Sequence, residues 1–167
     1  YAFVSFGNND IAMLQWALNK NMPLTAIYCE TGWASELWQA RVDECVKWCE
    51  DRGIPVHFTE PHFLMPGYFL SEGTWPKVGG LYCHKMKRYP ALRKLDELDP
   101  DLVGTMMFSP RRLDGSNRLQ WPEHNESEVG RDVWYPMVRT TDEERDALIA
   151  QSGLAKLPHR SLECGPC

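Results

Sequence analysis

The sequence has no run approaching the roughly 18 consecutive apolar residues of a membrane-spanning helix, and no basic start leading into an apolar stretch of the signal-peptide kind. A cytoplasmic location with no membrane partner is the expectation. Cysteine is sparse: six in 167 residues, far below the density of small secreted disulfide scaffolds, so the thiols read as core residues, metal ligands or nucleophiles. Positive charge is not in surplus either. Eighteen Lys and Arg stand against 23 Asp and Glu, a formal net charge of −5. That balance excludes indiscriminate coating of nucleic acid, which needs a net basic surface to displace counterions; a local basic patch stays open. Internal repeats, low-complexity tracts and linkers are absent. A chain of 167 residues with 43% hydrophobic content can bury one sizeable core, so residues 1–167 read as a single domain.

What is present begins as alternating strands and helices. Tyr1 to Phe6 reads as a strand already under way at its first residue, so the expectation is that natural sequence precedes it. Gly7-Asn8-Asn9-Asp10 is a turn, and Ile11, Leu14, Ala17 and Leu18 then recur at helical spacing to about Lys20. Leu24 to Cys29 is a second strand, Thr31-Gly32 a turn, and Ser35 opens a helix running to about Arg52 and stopping at Gly53. Ile54 to Phe58 is a third strand. This order predicts a parallel sheet with right-handed crossovers. Thr59 to Tyr82 reads as a long Pro-, Gly- and aromatic-rich loop of the lid or binding type. A basic helix over His84 to Leu98, a strand over Leu102 to Phe108, and a polar irregular stretch from Ser109 to Val133 follow. Thr141-Asp142-Glu143-Glu144 is a capping box opening a last helix that ends near Gly153.

Cys164-Gly165-Pro166-Cys167 is a Cys-x-x-Cys pair whose spacing serves one metal or cluster, or a redox disulfide. One pair does not fill a tetrahedral site. Cys83, beside His84, Lys85, Lys87 and Arg88, sits where neighbouring cations favour the thiolate, and it is the natural third ligand. Cys45 and Cys49 continue the helical stripe of Trp38 and Val42 and read as buried small hydrophobes. Cys29 ends an apolar strand and is left unassigned, as are His57 and His62. The seven tryptophans read as core or lid, since no basic-aromatic periodicity accompanies them. Basic residues concentrate in two groups, Lys85, Lys87, Arg88, Arg93 and Lys94, then Arg111, Arg112 and Arg118. Arg forks match phosphate and sulfate oxygens, which in an acidic chain points to a small polyanionic ligand. The turn Ser5 to Asp10 is a second anion candidate, because a helix N-terminus at the C-terminal edge of a parallel sheet offers unpaired N–H groups. It is neither a GxGxxG nor a GxxxxGK[ST] sequence.

Taken together these segments resemble the adenylyl-sulfate and phosphoadenylyl-sulfate reductase family of the PP-loop adenine-nucleotide group. Ser5-Phe6-Gly7-Asn8-Asn9-Asp10-Ile11 is similar to the family's S-F-S-G-x-E-D-[VI] with one residue fewer, and Glu30-Thr31-Gly32 to its D-T-G. Tyr82 to Ala91 keeps the second Cys, the Lys and the Pro of the cluster-bearing branch's C-C-x-x-R-K-x-x-P-L, as Cys83, Lys87 and Pro90. It lacks the first Cys and the Arg. Ser109-Pro110-Arg111-Arg112 with Arg118 resembles an Arg-containing turn. Tyr135-Pro136-Met137 followed by Thr141 to Glu144 resembles N-P-[LI]…W-T-x-x-[DE]-[VI], and Glu163 to Cys167 resembles G-C-x-P-C. Eighty residues separate Cys83 from Cys164, close to the separation in the cluster-bearing branch.

The resemblance implies a Rossmann-like α/β fold: an open, mainly parallel sheet with helices on both faces, of the adenine-nucleotide alpha-hydrolase type. It implies nucleotide contacts at Ser5, Phe6, Gly7, Asp10, Thr31, Gly32 and Arg118, and phosphosulfate contacts at Lys87, Arg111 and Arg112. It further implies a [4Fe-4S] cluster on Cys83, Cys164 and Cys167, with the fourth ligand unknown because Tyr82 replaces a cysteine. The substrate implied is an adenine sulfonucleotide reduced to sulfite, the reductant a thioredoxin-type thiol, and a homodimer is compatible. The family's nucleophile lies in a C-terminal E-C-G-[LI]-H tail. Glu163-Cys164-Gly165 shares its first three letters, but the distance from the capping-box helix and the Pro-Cys ending fit the cluster motif better, so the catalytic group is unassigned. Two other readings stand beside this one. A PP-loop sulfur transferase would use a three-cysteine cluster to thiolate a nucleic acid, the one reading with a nucleic-acid partner. A non-catalytic domain would hold Zn²⁺ on the three cysteines plus His84 or His159.

Overall fold

A computed structural model describes residues 1–73, 84–114, 122–126, 129–159 and 162–163. Its sheet is built from β1 (Ala2–Val4), β2 (Ala26–Cys29), β3 (Val56–Thr59), β4 (Met106–Met107), β5 (His124–Glu126) and β6 (Asp132–Trp134), in the order β3-β2-β1-β4-β6-β5. All neighbours are parallel except β5 and β6. The helices are α1 (Asn8–Asn19), α2 (Glu36–Glu50), α3 (Met65–Glu72), α4 (Tyr89–Leu98) and α5 (Asp142–Ser152), with a π-helical turn over His84–Arg88 leading into α4. No described helix is long and apolar enough to cross a membrane.

The period-2 rule assigns the two faces of the sheet. Ala2, Val4, Ala26, Tyr28 and Met107 join one core with α1, α2 and Ile149 of α5, whereas Ile27, Met106 and Val133 join another with Ala91, Leu92 and Leu95 of α4. Helices therefore cover both faces of a mainly parallel sheet. The predicted α2 stripe is buried along its whole length, Trp38, Val42, Cys45 and Cys49 included. Burying side chains of this size contributes about 1.5–3 kcal/mol apiece. Ser35 caps α2 by accepting from Leu37 N, and both halves of the Thr141–Glu144 capping box form at the start of α5.

Three sequence expectations give way. The stretch from Thr59 contains α3, delimited by Pro66 in its first turn and by Gly73 in the left-handed region at its end; these residues bound a helix rather than exclude one. The strand expected from Leu102 shrinks to Met106–Met107, because residues 99–104 wrap around one carboxylate. Val103 N and Gly104 N donate to Asp99 at 3.3 and 2.9 Å, and Leu102 takes φ 58, a turn geometry incompatible with a strand. Finally, the stretch expected to be irregular holds β5 and the start of β6. Each spans only three residues, too short for an alternation to register.

Candidate functional site

The chain leaves β1 at Val4 and reaches α1 through Ser5, Phe6 and Gly7. Phe6 takes φ 59, in the left-handed region. A non-glycine residue is strained there, and its ring is held by full burial and by stacking on Tyr28 at 5.4 Å. Gly7 supplies no capping side chain, so the first N–H groups of α1 keep the anion-attracting character of a helix start. Asp10 ties this turn to the next strand end. Its carboxylate accepts from Ser5 N at 2.6 Å and Ser5 Oγ at 2.8 Å, and Ser109 Oγ, beyond β4, donates to its other oxygen. Asn9 Nδ2 donates to Asp114 at 2.7 Å, and Asn8 clasps the backbone of Leu157 through two bonds of 2.9 Å.

The turn after β2 organises a second set of contacts. Thr31 is fully buried. Its carbonyl accepts from Met65 N at 2.8 Å, while its hydroxyl donates to the Glu163 carbonyl at 3.4 Å. Gly32, at φ +66, passes so close to Leu64 that a Cβ would lie 2.9 Å from the Leu64 Cβ, which is why only glycine fits. Ser35 N donates to the Leu162 carbonyl at 3.0 Å. Residues 162–163 are thus pinned by their backbone to the β2–α2 loop, and the buried Glu163 carboxylate accepts from Lys87 Nζ. Burial pushes the Glu163 carboxyl above the ordinary carboxylate range, an effect that the Lys87 ammonium opposes and that Asp10 and Glu30 reinforce.

These elements surround a cleft of about 600 Å³, within the size range of small-molecule sites. Its floor is apolar, with Phe3, Ile27, Ala91, Met106 and Val133; its rim is polar, with Ser5, Asn9, Asp10, Lys87, Arg88, Ser109 and Glu163. Phe3 stacks on Phe108 at 4.8 Å, and Phe108 lies 6.1 Å from Tyr135, which gives the floor flat aromatic surface. The cleft opens at the C-terminal ends of β1 and β4, where the strand order reverses direction. Open α/β sheets bind ligands at this switch point. A flat apolar floor beside hydrogen-bond donors and a helix start is chemically suited to a planar base carrying an anionic group.

The sequence candidates distribute unevenly around this cleft. Ser5, Asp10 and Lys87 line it. Phe6 and Gly7 shape the turn behind it, and Thr31 and Gly32 hold its neighbouring segments. Arg111 and Arg112 are not among the lining residues. Arg111 is 3% exposed and its guanidinium is engaged by Asp114 at 2.8 Å and Asp142 at 2.9 Å; Arg112 N donates to the Val138 carbonyl at 2.9 Å. Cys83, Cys164, Cys167 and Arg118 lie outside the described residues. Among those described, no group of three His, Cys, Asp or Glu side chains is arranged to hold a metal. Cys45 and Cys49 are fully buried, and burial pushes both thiols up to about 12, as expected for core residues. Cys29 lines the cleft and donates to the Met86 carbonyl at 3.1 Å. Sequence reasoning named Asn9 only within the Ser5–Asp10 turn and Glu163 only within the Glu163–Cys167 motif, and gave neither a role of its own. Asn9 looks like any turn residue, and Glu163 is a lone acid whose meaning depends on Lys87, 76 positions away.

Comparison with solved structures decides the fold. The chain is similar to the phosphoadenylyl-sulfate (PAPS) reductase of Candida auris in its phosphate complex, with a TM-score of 0.65 at 19% identity over 93% of this chain and 73% of that one. The fold is of the adenine-nucleotide alpha-hydrolase type, an open, mainly parallel sheet with helices on both faces. It is also similar to the U34-tRNA thiolase NcsA of Methanococcus maripaludis with its [4Fe-4S] cluster, at TM-score 0.57, 14% identity, 99% of this chain and 59% of that one. The NMN synthetase of Francisella tularensis matches at TM-score 0.60 and 10% identity, over 92% of this chain and 61% of that one. The chain thus spans about three fifths of the length of these last two structures. No protein-family model matches the sequence, and no curated protein matches it. Within this fold, the cleft at β1 and β4 is the position where the strand order places a ligand.

Proposed function

We propose that the protein is an adenylyl-sulfate reductase-type enzyme that binds an adenylated sulfate in the cleft and yields sulfite and the adenosine nucleotide. The observation that carries this reading is the cleft itself, in which an apolar aromatic floor meets a rim of Ser5, Asn9, Ser109, Lys87 and Arg88 at the switch point. The floor takes the adenine. The α1 N-terminus and Arg88 face the phosphosulfate and stabilise the charge that develops on the leaving nucleotide. A thiolate attacks the sulfur, the sulfur–oxygen bond to the nucleotide breaks, and a thioredoxin-type dithiol then releases sulfite as it is oxidised to the disulfide.

Cys83, Cys164 and Cys167 would hold the [4Fe-4S] cluster. Three thiolates are a donor set of the right softness for it, and the Lys87–Glu163 ion pair supports the fit, because it joins the stretch that follows Cys83 to the residue that precedes Cys164. Bound there, a cluster would supply an iron–sulfur centre with one iron not held by cysteine. A second reading, a PP-loop sulfur transferase, draws on the likeness to the tRNA thiolase over 99% of the chain. Anaerobically purified, reconstituted protein given adenylyl sulfate, phosphoadenylyl sulfate or ATP with a dithiol separates the two. Sulfite with the adenosine nucleotide is the expected product. Pyrophosphate from ATP with sulfur appearing in RNA supports the transferase, and no turnover of either sulfonucleotide overturns the reductase.

A further inference from the structure

Among the described residues, the charged side chains lining the cleft are Lys87, Arg88, Asp10 and Glu163, and their formal charges cancel. Lys87 is neutralised within the cleft by Glu163. Arg111, which the sequence placed near the same strand ends, is occupied by Asp114 and Asp142. Among the described residues the cleft therefore offers hydrogen-bond donors and a helix start, without excess positive charge.

Glu163 is a fixed part of this arrangement. Its side chain is 2% exposed, and the Thr31 and Ser35 hydrogen bonds to the carbonyls of Glu163 and Leu162 hold its backbone. The backbone that carries the carboxylate is thus fixed beside Lys87. Asp10 is buried too, but its oxygens are committed to Ser5 and Ser109. Each further negative charge on a ligand therefore meets the buried Glu163 carboxylate, and burial weakens the screening of that repulsion.

We propose that Glu163 is a specificity-determining residue that sets the charge of the accepted nucleotide: the cleft takes adenine nucleotides with a dianionic group, such as adenylyl sulfate or AMP, and discriminates against the tetra-anionic triphosphate of ATP. This rests on the reading that the cleft holds an adenine nucleotide. It separates two uses of one fold, since an enzyme that activates its substrate with ATP must accept the higher charge.

Calorimetric titration of the full chain with AMP and with ATP tests it, alongside Glu163→Gln, which keeps the volume and a carbonyl for Lys87, and Glu163→Asp, which keeps the charge. Wild type is expected to bind AMP at least about tenfold more tightly than ATP, and Glu163→Gln to tighten ATP by about tenfold while AMP changes less than about threefold, the size expected for one partly screened charge. Glu163→Asp is expected to keep the preference for AMP even where both affinities fall. Wild type binding ATP as tightly as AMP, Glu163→Gln shifting both ligands by one factor, or Glu163→Asp losing the preference overturns the proposal while leaving the nucleotide site intact. Binding of neither nucleotide overturns the site as well.

Discussion

Replacing Asp10 by alanine asks whether hydrogen bonds or packing alone hold the ends of β1 and β4 in register for a ligand. The carboxylate is 6% exposed and accepts from Ser5 N, Ser5 Oγ and Ser109 Oγ. A hydrogen bond to a charged acceptor contributes about 1.5–3 kcal/mol net, so three independent bonds would sum to about 4.5–9 kcal/mol, comparable with the whole stability of a small domain. They share one carboxylate, however, and both hydroxyls can turn to other partners once it is gone. The Ser5 backbone N–H cannot turn, and orphaning it costs about 1–3 kcal/mol. A carboxylate in the first turn of α1 adds about 0.3–1 kcal/mol through the helix dipole. The working figure for Asp10→Ala is then about 1.3–4 kcal/mol. Asp10→Asn retains an oxygen for Ser5, and Ser109 can rotate to accept from the new amide, so chiefly the charge is lost and the cost falls to about 1–1.5 kcal/mol. Urea unfolding followed by far-UV circular dichroism measures both, with an unchanged denaturant slope as the check that the folded state is the same. Asp10→Ala within about 0.5 kcal/mol of wild type, or indistinguishable from Asp10→Asn, would refute the claim that this carboxylate braces the cleft.

Two further outcomes follow from buried groups. Cys45 and Cys49 have thiols raised by burial from 9.0 to about 12, so each stabilises the fold fully below its unfolded value and loses that contribution as pH rises from about 9 towards about 12. The urea midpoint should fall over that window, and a Cys45→Ala/Cys49→Ala double variant should show a shallower fall; parallel profiles would contradict the assignment of both thiols to the core. Arg111→Ala should act on stability rather than on ligand affinity, costing about 2–3 kcal/mol because it removes the guanidinium that Asp114 and Asp142 share. A folded, fully stable Arg111→Ala protein with weakened nucleotide binding would instead restore Arg111 to the ligand's surroundings.

The parts of the fold legible in the sequence are those where local signals are long or stereochemically sharp. The α2 stripe repeats over several turns, the Thr141 capping box couples two residues three apart, and Ala26–Cys29 reads as an apolar run because a central parallel strand is buried on both faces. What escaped was short or dictated from a distance. Asp99 organises the turn that replaces most of the predicted strand at Leu102, and nothing near Leu102 announces that an aspartate three residues earlier collects the backbone. In α3 the same Pro and Gly that argue for a loop act as terminators of an eight-residue helix. Both errors come from reading a residue's preference without knowing which end of an element it occupies.

The pairing of charges is a second property that a sequence does not display. A sequence shows where positive charges are, but a ligand responds to the charges left over after the fold has paired them. Lys87 and Arg111 were both attractive as anion ligands, and tertiary structure joins Lys87 to Glu163, 76 positions away, and Arg111 to Asp142 as well as to its neighbour Asp114. Arg88 and the first N–H groups of α1 are donors on the cleft among the residues described. Among the described residues, the two basic groups that suggested a polyanion are therefore largely paired with acids of this chain. On the proposed reading, the ligand charge that the cleft accepts depends on the acidic partners of its cations as much as on the cations themselves, and Glu163 is the partner whose removal tests it.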